Sequence, residues 1–284
     1  MIIDIHVHPI FQETVQDIST IPELARTIEE TEITSKKVFG RSQTILSLAD
    51  FEREMTEAGI DMVAILMPAY KGIPSRLMNE QLATLIGMFP NRFIGFAGFD
   101  PNQGQQAIAD IEYAINELGY KGIKTIAATV EMDINDKAYY PCYAKIEELG
   151  VPILMHTGAA SLVMGYRVKH VHPLLVDDVA FDFPDLKIIC AHLGAQYYMD
   201  VHNMMVRHPN VYADVCFWPL NPHYVDLIPW RLFEETVPDK VLLGSDYPCG
   251  QTPKEAKEAV RRLPITDDFK RKILGENAAS LLGL

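Results

Sequence analysis

The chain has 284 residues, of which 48% are hydrophobic and 22% are charged, with a formal net charge of −13. This composition is typical of a globular protein with a large core, and the acidic charge argues against nucleic acid or an anionic membrane as a partner. No apolar run approaches the roughly 18 residues of a transmembrane helix, and the N-terminus lacks the basic region of a signal peptide. The four cysteines have no CxxC spacing, and Cys190 and Cys216 lie in or beside apolar runs, so we expect reduced core thiols and a cytoplasmic location.

Short β-branched runs alternate with amphipathic segments along the chain. The eight predicted strands are 2–6, 61–67, 92–97, 122–126, 152–156, 187–192, 211–215 and 240–244. Predicted helices include 48–58, 75–89, 105–118, 140–149 and 253–262, with a closing helix over 266–284. Ser47 followed by Asp50 resembles a capping box at the start of the first of these helices. Gly59 and Gly150 stand where a glycine commonly ends a helix.

Strands that alternate with helices predict a parallel sheet. Eight such units in a chain of this length predict a single-domain α/β protein, a (β/α)8 TIM-type barrel over residues 1–284. A doubly wound open sheet is the alternative, but no glycine-rich phosphate loop follows any predicted strand. The two longest irregular connections, 10–44 and 157–173, follow the first and fifth strands, at the end where barrels build their active sites.

Residues typical of metal sites stand at the ends of four predicted strands. His6 and His8 are two positions apart, so on a strand they project from the same side. His156 ends the fifth strand, His192 ends the sixth, and Asp246 follows the eighth. Because the carboxyl ends of all strands meet at the mouth of a barrel, we expect these five side chains to lie together as metal-type or acid–base residues of one site.

This arrangement resembles that of the amidohydrolase superfamily. The likeness is nearer to the amidohydrolase-related branch, which includes aminocarboxymuconate-semialdehyde decarboxylase, and spans nearly the whole chain. Supporting stretches lie at 89–97, 120–124, 244–248 and 276–279. The resemblance implies one divalent metal held by His6, His8, His156 and Asp246, with water completing the coordination. It also implies that His192 acts as an acid–base or substrate-polarising residue.

The donor set suits Zn2+ best, with Mn2+ or Fe2+ as alternatives. A bound metal lowers the pKa of its water toward ~7, and Asp246 can both ligate the metal and accept a proton from that water. Lys124 lies near the end of the fourth strand, where two-metal members of the superfamily carry a carbamylated lysine. The second reading, favoured by the likeness to one-metal members, is a lysine paired with a carboxylate near the barrel mouth.

Substrate contacts are expected after the fifth and seventh strands. Arg167, Lys169 and His170 suit a substrate carboxylate, and a solvated loop is the equal alternative. Trp218 is expected either to form an aromatic wall over the pocket or to pack beneath its loop. Arg41, in the first long connection, is a second candidate for the carboxylate.

Three functions remain open at this stage. The preferred one is a metal-dependent hydrolase acting on an ester, lactone, thioester or amide of a small, carboxylate-bearing molecule, because the loops after strands six to eight are compact. The alternative is a nonoxidative decarboxylase of an aromatic or unsaturated acid, which the stretch 89–97 resembles. A barrel without enzymatic activity is the third. The resemblance also implies a homodimer, and Asp214, at the end of the seventh strand, is expected to support the metal ligands.

Overall fold

The computed structural model describes residues 1–8, 11–13, 47–71, 73–158 and 166–284, together with the single residues Ala25, Glu29, Glu32, Ile33 and Lys36. Eight parallel strands follow one another around a barrel in sequence order. Backbone hydrogen bonds from Ile5 N to Leu243 O (2.9 Å) and from Asp246 N to His6 O (2.8 Å) join the last strand to the first. The predicted (β/α)8 barrel is therefore confirmed. Its strands are β1 Ile3–Val7, β2 Met62–Leu66, β3 Phe93–Gly98, β4 Gly122–Thr125, β5 Ile153–Met155, β6 Ile188–Cys190, β7 Val211–Asp214 and β8 Val241–Leu242.

A helix follows each strand, and two more follow the last of these. The helices are α1 Leu48–Ala58, α2 Ser75–Ile86, α3 Gln105–Asn116, α4 Tyr140–Leu149, α5 Leu174–Asp182, α6 Tyr198–Arg207, α7 Trp230–Thr236, α8 Pro253–Arg262, α9 Asp267–Arg271 and α10 Asn277–Leu282. Ser47 caps α1 by accepting the N–H of Asp50, and Gly59 and Gly150 end their helices in the left-handed conformation, as predicted. Within the described part of the chain, no helix has the length and apolarity needed to cross a membrane.

Two apolar clusters explain how the barrel is packed. Strand residues that point outward pack against the helices, as expected for a sheet covered by crossover helices. The inner cluster fills the barrel below its mouth and consists of Ile3, Ile5, Ala64, Leu66, Ile94, Phe96, Leu154, Ile189, Ala191, Leu242, Ala278 and Leu281. Since its last two members belong to α10, this helix covers the end of the barrel opposite the mouth.

A bulge in β1 redirects the strand where the site begins. Strict alternation would place Ile5 and Val7 on one face, but Ile5 belongs to the inner cluster and Val7 to the outer one. The pairing with β2 shifts between Asp4 and Val7, so that three steps along β1 match two along β2. The extra residue turns His6 and its successors by one position, which is how a bulge re-aims side chains.

The closing helix predicted over 266–284 is interrupted. Between α9 and α10, residues Lys272–Glu276 form a wider turn that is broken at Gly275, and within it Ile273 O accepts the N–H of Leu243. A Cβ atom added to Gly275 would lie 2.2 Å from the carbonyl oxygen of Met1. A continuous helix was therefore the wrong prediction, because this segment must bond to β8 and pass close to the backbone that precedes β1.

We expect Gly275→Ala to destabilise the fold by about 1–3 kcal/mol, since the added methyl group displaces the chain that enters β1. The free energy of unfolding from urea titration measures this loss. Gly87→Ala serves as the control, because Gly87 has ordinary right-handed helical angles (φ −60°, ψ −19°). Equal stability of the two variants would contradict a close approach at Gly275.

Candidate metal centre and active site

His6 and His8 form the centre of the candidate site. Their Nε2 atoms lie 3.1 Å apart, and Asp246 Oδ1 lies 3.4 Å from His6 Nε2 and 3.9 Å from His8 Nε2. Two ring nitrogens that each bind one ion at about 2.1 Å stand about 3.0–3.4 Å from one another. The spacing of the two imidazoles is therefore that of two ligands of a single ion, with a carboxylate oxygen beside them.

The second nitrogen of His6 is held by Asp214, at the end of β7. His6 Nδ1 lies 2.8 Å from Asp214 Oδ2, and both side chains are fully buried. A carboxylate at this distance accepts the Nδ1–H and so leaves Nε2 unprotonated and available to a metal. The other oxygen, Oδ1, accepts the backbone N–H groups of His192 (2.9 Å) and Cys216 (3.1 Å). The expected supporting position of Asp214 is thus present in the geometry.

His156 and His192 lie next to one another beside this group. His192 Nε2 lies 3.2 Å from His156 Nδ1, and the ring centroids of His6 and His192 are 5.1 Å apart. His156 Nε2 is buried and has no hydrogen-bond partner within the part of the chain that the structure describes. Buried polar atoms are normally paired, so this nitrogen is a free donor for an ion. His156 is nevertheless outside the group of His6, His8 and Asp246, whose ligand atoms all lie within 4.8 Å of one another.

Burial keeps these histidines neutral. It lowers the pKa of His156 to about 3, and it lowers the pKa values of His6, His8 and His192 well below the usual value for imidazole. Burial has the opposite effect on Asp246, whose pKa it raises to about 8, while the charge of Lys124 opposes that change. Neutral imidazoles and a carboxylate that is poorly compensated in the dry site are a donor set that a divalent cation fits.

The backbone is strained where it presents two of these residues. His192 (φ 57°), Leu193 (φ 50°) and Ala195 (φ 52°) follow β6 in the left-handed region, and Asp246 (φ 58°) follows β8 in the same way. Holding a residue other than glycine in this region costs up to about 1–3 kcal/mol of folding free energy, and such residues cluster at functional sites. The turns after β6 and β8 are thus held by their surroundings, including the hydrogen bonds that His192 N donates to Asp214 Oδ1 and that Asp246 N donates to His6 O.

Two further residues enter the site. Lys124 is fully buried, and its Nζ lies 3.5 Å from His6 Nε2. Burial lowers the pKa of this lysine to about 8, against the attraction of Asp214 and Asp246. Cys216, expected to be an ordinary core thiol, has its Sγ 2.9 Å from His192 Nδ1 and 3.3 Å from His6 Nδ1. Its place two positions after Asp214, on the same side of the strand's end, is the sequence signal that identifies it.

The residues expected to contact substrate are placed differently. Arg167 and Lys169 are exposed, whereas His170 is buried with its Nδ1 2.5 Å from Asp133 Oδ1. His170 therefore contacts an acidic residue after β4, and Arg167 acts electrostatically on Glu131 in the same segment. The half-buried ring of Trp218 packs against Tyr224 in a tilted arrangement, with a centroid distance of 3.7 Å and an interplanar angle of 32°.

Trp218 also packs against Ala195 and Phe217, beside the strained turn that carries His192. It thus packs within its own loop, next to the turn that carries His192. Its roles as an aromatic wall over the pocket or as packing beneath the loop both stay predictions. Arg41 and residues 161–165 lie outside the described part of the chain.

The model of the amidohydrolase family matches residues 3–284. Together with the barrel and the histidine–aspartate group at its mouth, this match shows that the chain belongs to the amidohydrolase family, as the sequence motifs predicted.

Three curated proteins illustrate the likeness. A 2-amino-3-carboxymuconate-6-semialdehyde decarboxylase from Dictyostelium discoideum is 24% identical over 74% of this chain and 66% of its own length. A gamma-resorcylate decarboxylase from Rhizobium radiobacter is 23% identical over 62% of this chain and 60% of its own length. A 2-keto-4-carboxy-3-hexenedioate hydratase from Sphingobium sp. is 27% identical over 41% of this chain and 39% of its length. The chain thus spans two thirds or less of these relatives.

Solved structures agree on the fold. An uncharacterised TIM-barrel protein from Bordetella bronchiseptica superposes with a TM-score of 0.76 at 24% identity, covering 99% of this chain and 98% of that one. A dihydroxybenzoic acid decarboxylase from Polaromonas sp. JS666, with bound manganese and the inhibitor 2-nitroresorcinol, superposes with a TM-score of 0.69 at 18% identity, covering 100% and 98%.

We expect the double variant His6→Ala, His8→Ala to lose bound metal, since it removes two facing donor nitrogens. Elemental analysis after reconstitution with Mn2+ or Zn2+ and gel filtration measures the metal per chain. His208→Ala is the matched control, because His208 also pairs with a carboxylate, that of Asp177 at 2.7 Å, on the outer helices. Full metal retention in the double variant would exclude this group as the ion's site.

Asp214→Asn should weaken metal affinity by about 10–100-fold, because an amide orients the His6 imidazole less well than a carboxylate does. Titration of the metal-free protein with Mn2+ in competition with a chelator gives the dissociation constant. Asp177→Asn makes the same chemical change beside His208 and should leave the constant unchanged. If both variants bind metal equally tightly, the contact between Asp214 and His6 has no role in metal binding.

Proposed function

We propose that this chain is a nonoxidative, metal-dependent decarboxylase of an aromatic or unsaturated carboxylic acid. The observation that carries the proposal is the buried group of His6, His8 and Asp246 with His192 next to it. The named curated relatives are decarboxylases and one hydratase. They favour a decarboxylase, the alternative in the sequence analysis, over the hydrolase that was preferred there. Their low identities leave the substrate itself to experiment.

The metal would be held by His6, His8, His156 and Asp246. Two nitrogens and one carboxylate oxygen already face one another, and the unpartnered Nε2 of His156 supplies a fourth donor. Such a set binds Zn2+ or Mn2+, and manganese is the ion in the Polaromonas decarboxylase. When bound, a divalent ion polarises the oxygen groups of a substrate and orients them.

His192 is the residue we assign to the proton. Decarboxylation breaks the bond between the substrate carbon and its carboxyl group, releases CO2, and places one proton from solvent on that carbon. The neutral ring of His192 would relay this proton, taking one up at one nitrogen as it gives one up at the other. A general acid must lie within hydrogen-bond reach of the carbon that is protonated. The His192 ring is fixed by Cys216 Sγ at Nδ1 and by His156 at Nε2, and the strained turn after β6 holds its backbone. A group fixed in this way is oriented before substrate binds.

An assay panel tests the reaction class. Metal-loaded protein is incubated with 2,6-dihydroxybenzoate, 5-carboxyvanillate, phenyl esters, lactones and 2-keto-4-carboxy-3-hexenedioate. The products are identified by chromatography and mass spectrometry. We expect loss of CO2 from an acid, with one deuterium at the vacated carbon when the reaction runs in D2O. Ester cleavage alone would establish the hydrolase, and addition of water to the hexenedioate alone would establish a hydratase.

His192→Ala should retain about one metal per chain and lose decarboxylase turnover by about 10²–10⁴-fold, the usual contribution of a positioned acid–base group. CO2 release and elemental analysis on the same sample separate the two effects. His202→Ala is the control, because His202 bonds to Thr236 between helices. Loss of metal from His192→Ala would make His192 a ligand and overturn its assignment.

A further inference from the structure

β4 brings a positive charge into the metal group. Its backbone pairs with β3 and β5 through Lys124, which aligns with Gly98 on one side and Leu154 on the other. The side chain is fully buried, and its ammonium lies 3.5 Å from His6 Nε2, on the atom that faces His8 and Asp246. This lysine is part of the barrel wall, so its position depends little on the loops above.

The charges around Lys124 change when a metal binds. The carboxylates that act on its ammonium are those of Asp214 and Asp246. The positive charge of a divalent ion at the histidines would offset the negative charges of Asp246, which would bind it, and of Asp214 nearby. The Lys124 ammonium would then be a buried cation without a balancing anion. Buried charges without a partner are unfavourable. An anion that enters the metal-loaded site would therefore be attracted to the Lys124 ammonium and would balance its charge.

The other basic residues that were expected to bind a substrate anion lie away from the histidine group. Arg167 and Lys169 are exposed, and His170 is bonded to Asp133. Within the described part of the chain, the basic side chain in hydrogen-bond distance of the histidine group is Lys124. The anion would have to reach the base of the mouth, which a carboxylate carried on a flat or narrow molecule can do.

We propose that Lys124 is the specificity residue of this site and binds the substrate's carboxylate beside the metal. The inference rests on the proposed function and extends it from a reaction class to the group that is recognised. An ammonium that holds the carboxylate while the carbon–carbon bond is still partly intact stabilises the bound substrate and the transition state about equally. Its contribution therefore falls on KM, whereas a proton donor at the same place would act on kcat.

The test compares two ligands that differ by one carboxylate. Dissociation constants of 2,6-dihydroxybenzoate and resorcinol are measured by calorimetry on Mn2+-loaded protein that carries His192→Ala to prevent turnover, with position 124 wild type or changed by Lys124→Met or Lys124→Arg. We expect the wild type at this position to bind the acid at least ~10-fold more tightly than resorcinol, Lys124→Met to lose that preference, and Lys124→Arg to keep most of it. With 2,6-dihydroxybenzoate as substrate, Lys124→Met should raise KM by ~10-fold or more while kcat changes little.

One control, one loop variant and one measurement of metal content separate the alternatives. Lys257→Met also removes a buried lysine, one that donates to Ala58 O on the outside of the barrel, and should leave the preference unchanged even if stability falls. Lys169→Met tests the loop, and loss of the preference there instead of in Lys124→Met would overturn the inference. Elemental analysis adds a third outcome: two metals in wild type and one in Lys124→Met would make the lysine a metal bridge.

The inference and the proposed function fail in different ways. An unchanged preference in Lys124→Met, with CO2 still released by the wild type, would overturn the inference alone. Equal binding of the two ligands by wild type would also overturn it. A preference that depends on Lys124 without any CO2 release from the panel acids would leave the recognition intact and overturn the decarboxylase.

Discussion

One buried carboxylate, that of Asp214, fixes the positions of the groups at the barrel mouth. Its two oxygens accept hydrogen bonds from the His6 ring and from the backbone N–H groups of His192 and Cys216. These contacts join β1, the turn after β6 and the end of β7, which are remote in sequence. A carboxylate with three donors is well satisfied in a dry interior. The tautomer of His6, the orientation of its Nε2 atom and the strained turn at His192 all depend on it.

Asp4, within β1 itself, plays a comparable part. Its Oδ1 accepts the backbone N–H groups of His6 (3.2 Å) and Ser245 (3.0 Å), which a regular ladder would have paired with carbonyl oxygens. The bulge that turns His6 toward the mouth is thereby stabilised from within, and β8 is tied to the same carboxyl group. Two buried aspartates, Asp4 within β1 and Asp214 at the end of β7, thus set the direction in which His6 projects.

The sequence predicted the features that depend on local pattern. Eight strand–helix units, the bounds of α1, α4 and α8, and the strand-end positions of His6, His8 and Asp246 follow from periodicity, capping residues and the convergence of parallel strands. The bulge in β1 was out of reach, because it is visible only in the pairing with β2. The contacts of Cys216 were missed for a similar reason, since they join it to rings on β1 and β6. The interruption at Gly275 depends on the passage of Met1, which is remote in sequence.

Substrate specificity in this barrel is better sought on the strands than on the loops. Arg167 and Lys169 stand on a connection whose described part faces solvent and the acidic residues after β4, so their charge is screened by water. Lys124 stands on the barrel wall, where low polarity strengthens each electrostatic interaction and where its distance to His6 is set by backbone hydrogen bonds. A hydrolase and a decarboxylase can share one metal group, because what differs is the group held next to it. In this barrel a cation is held there, which favours a substrate that brings its own negative charge.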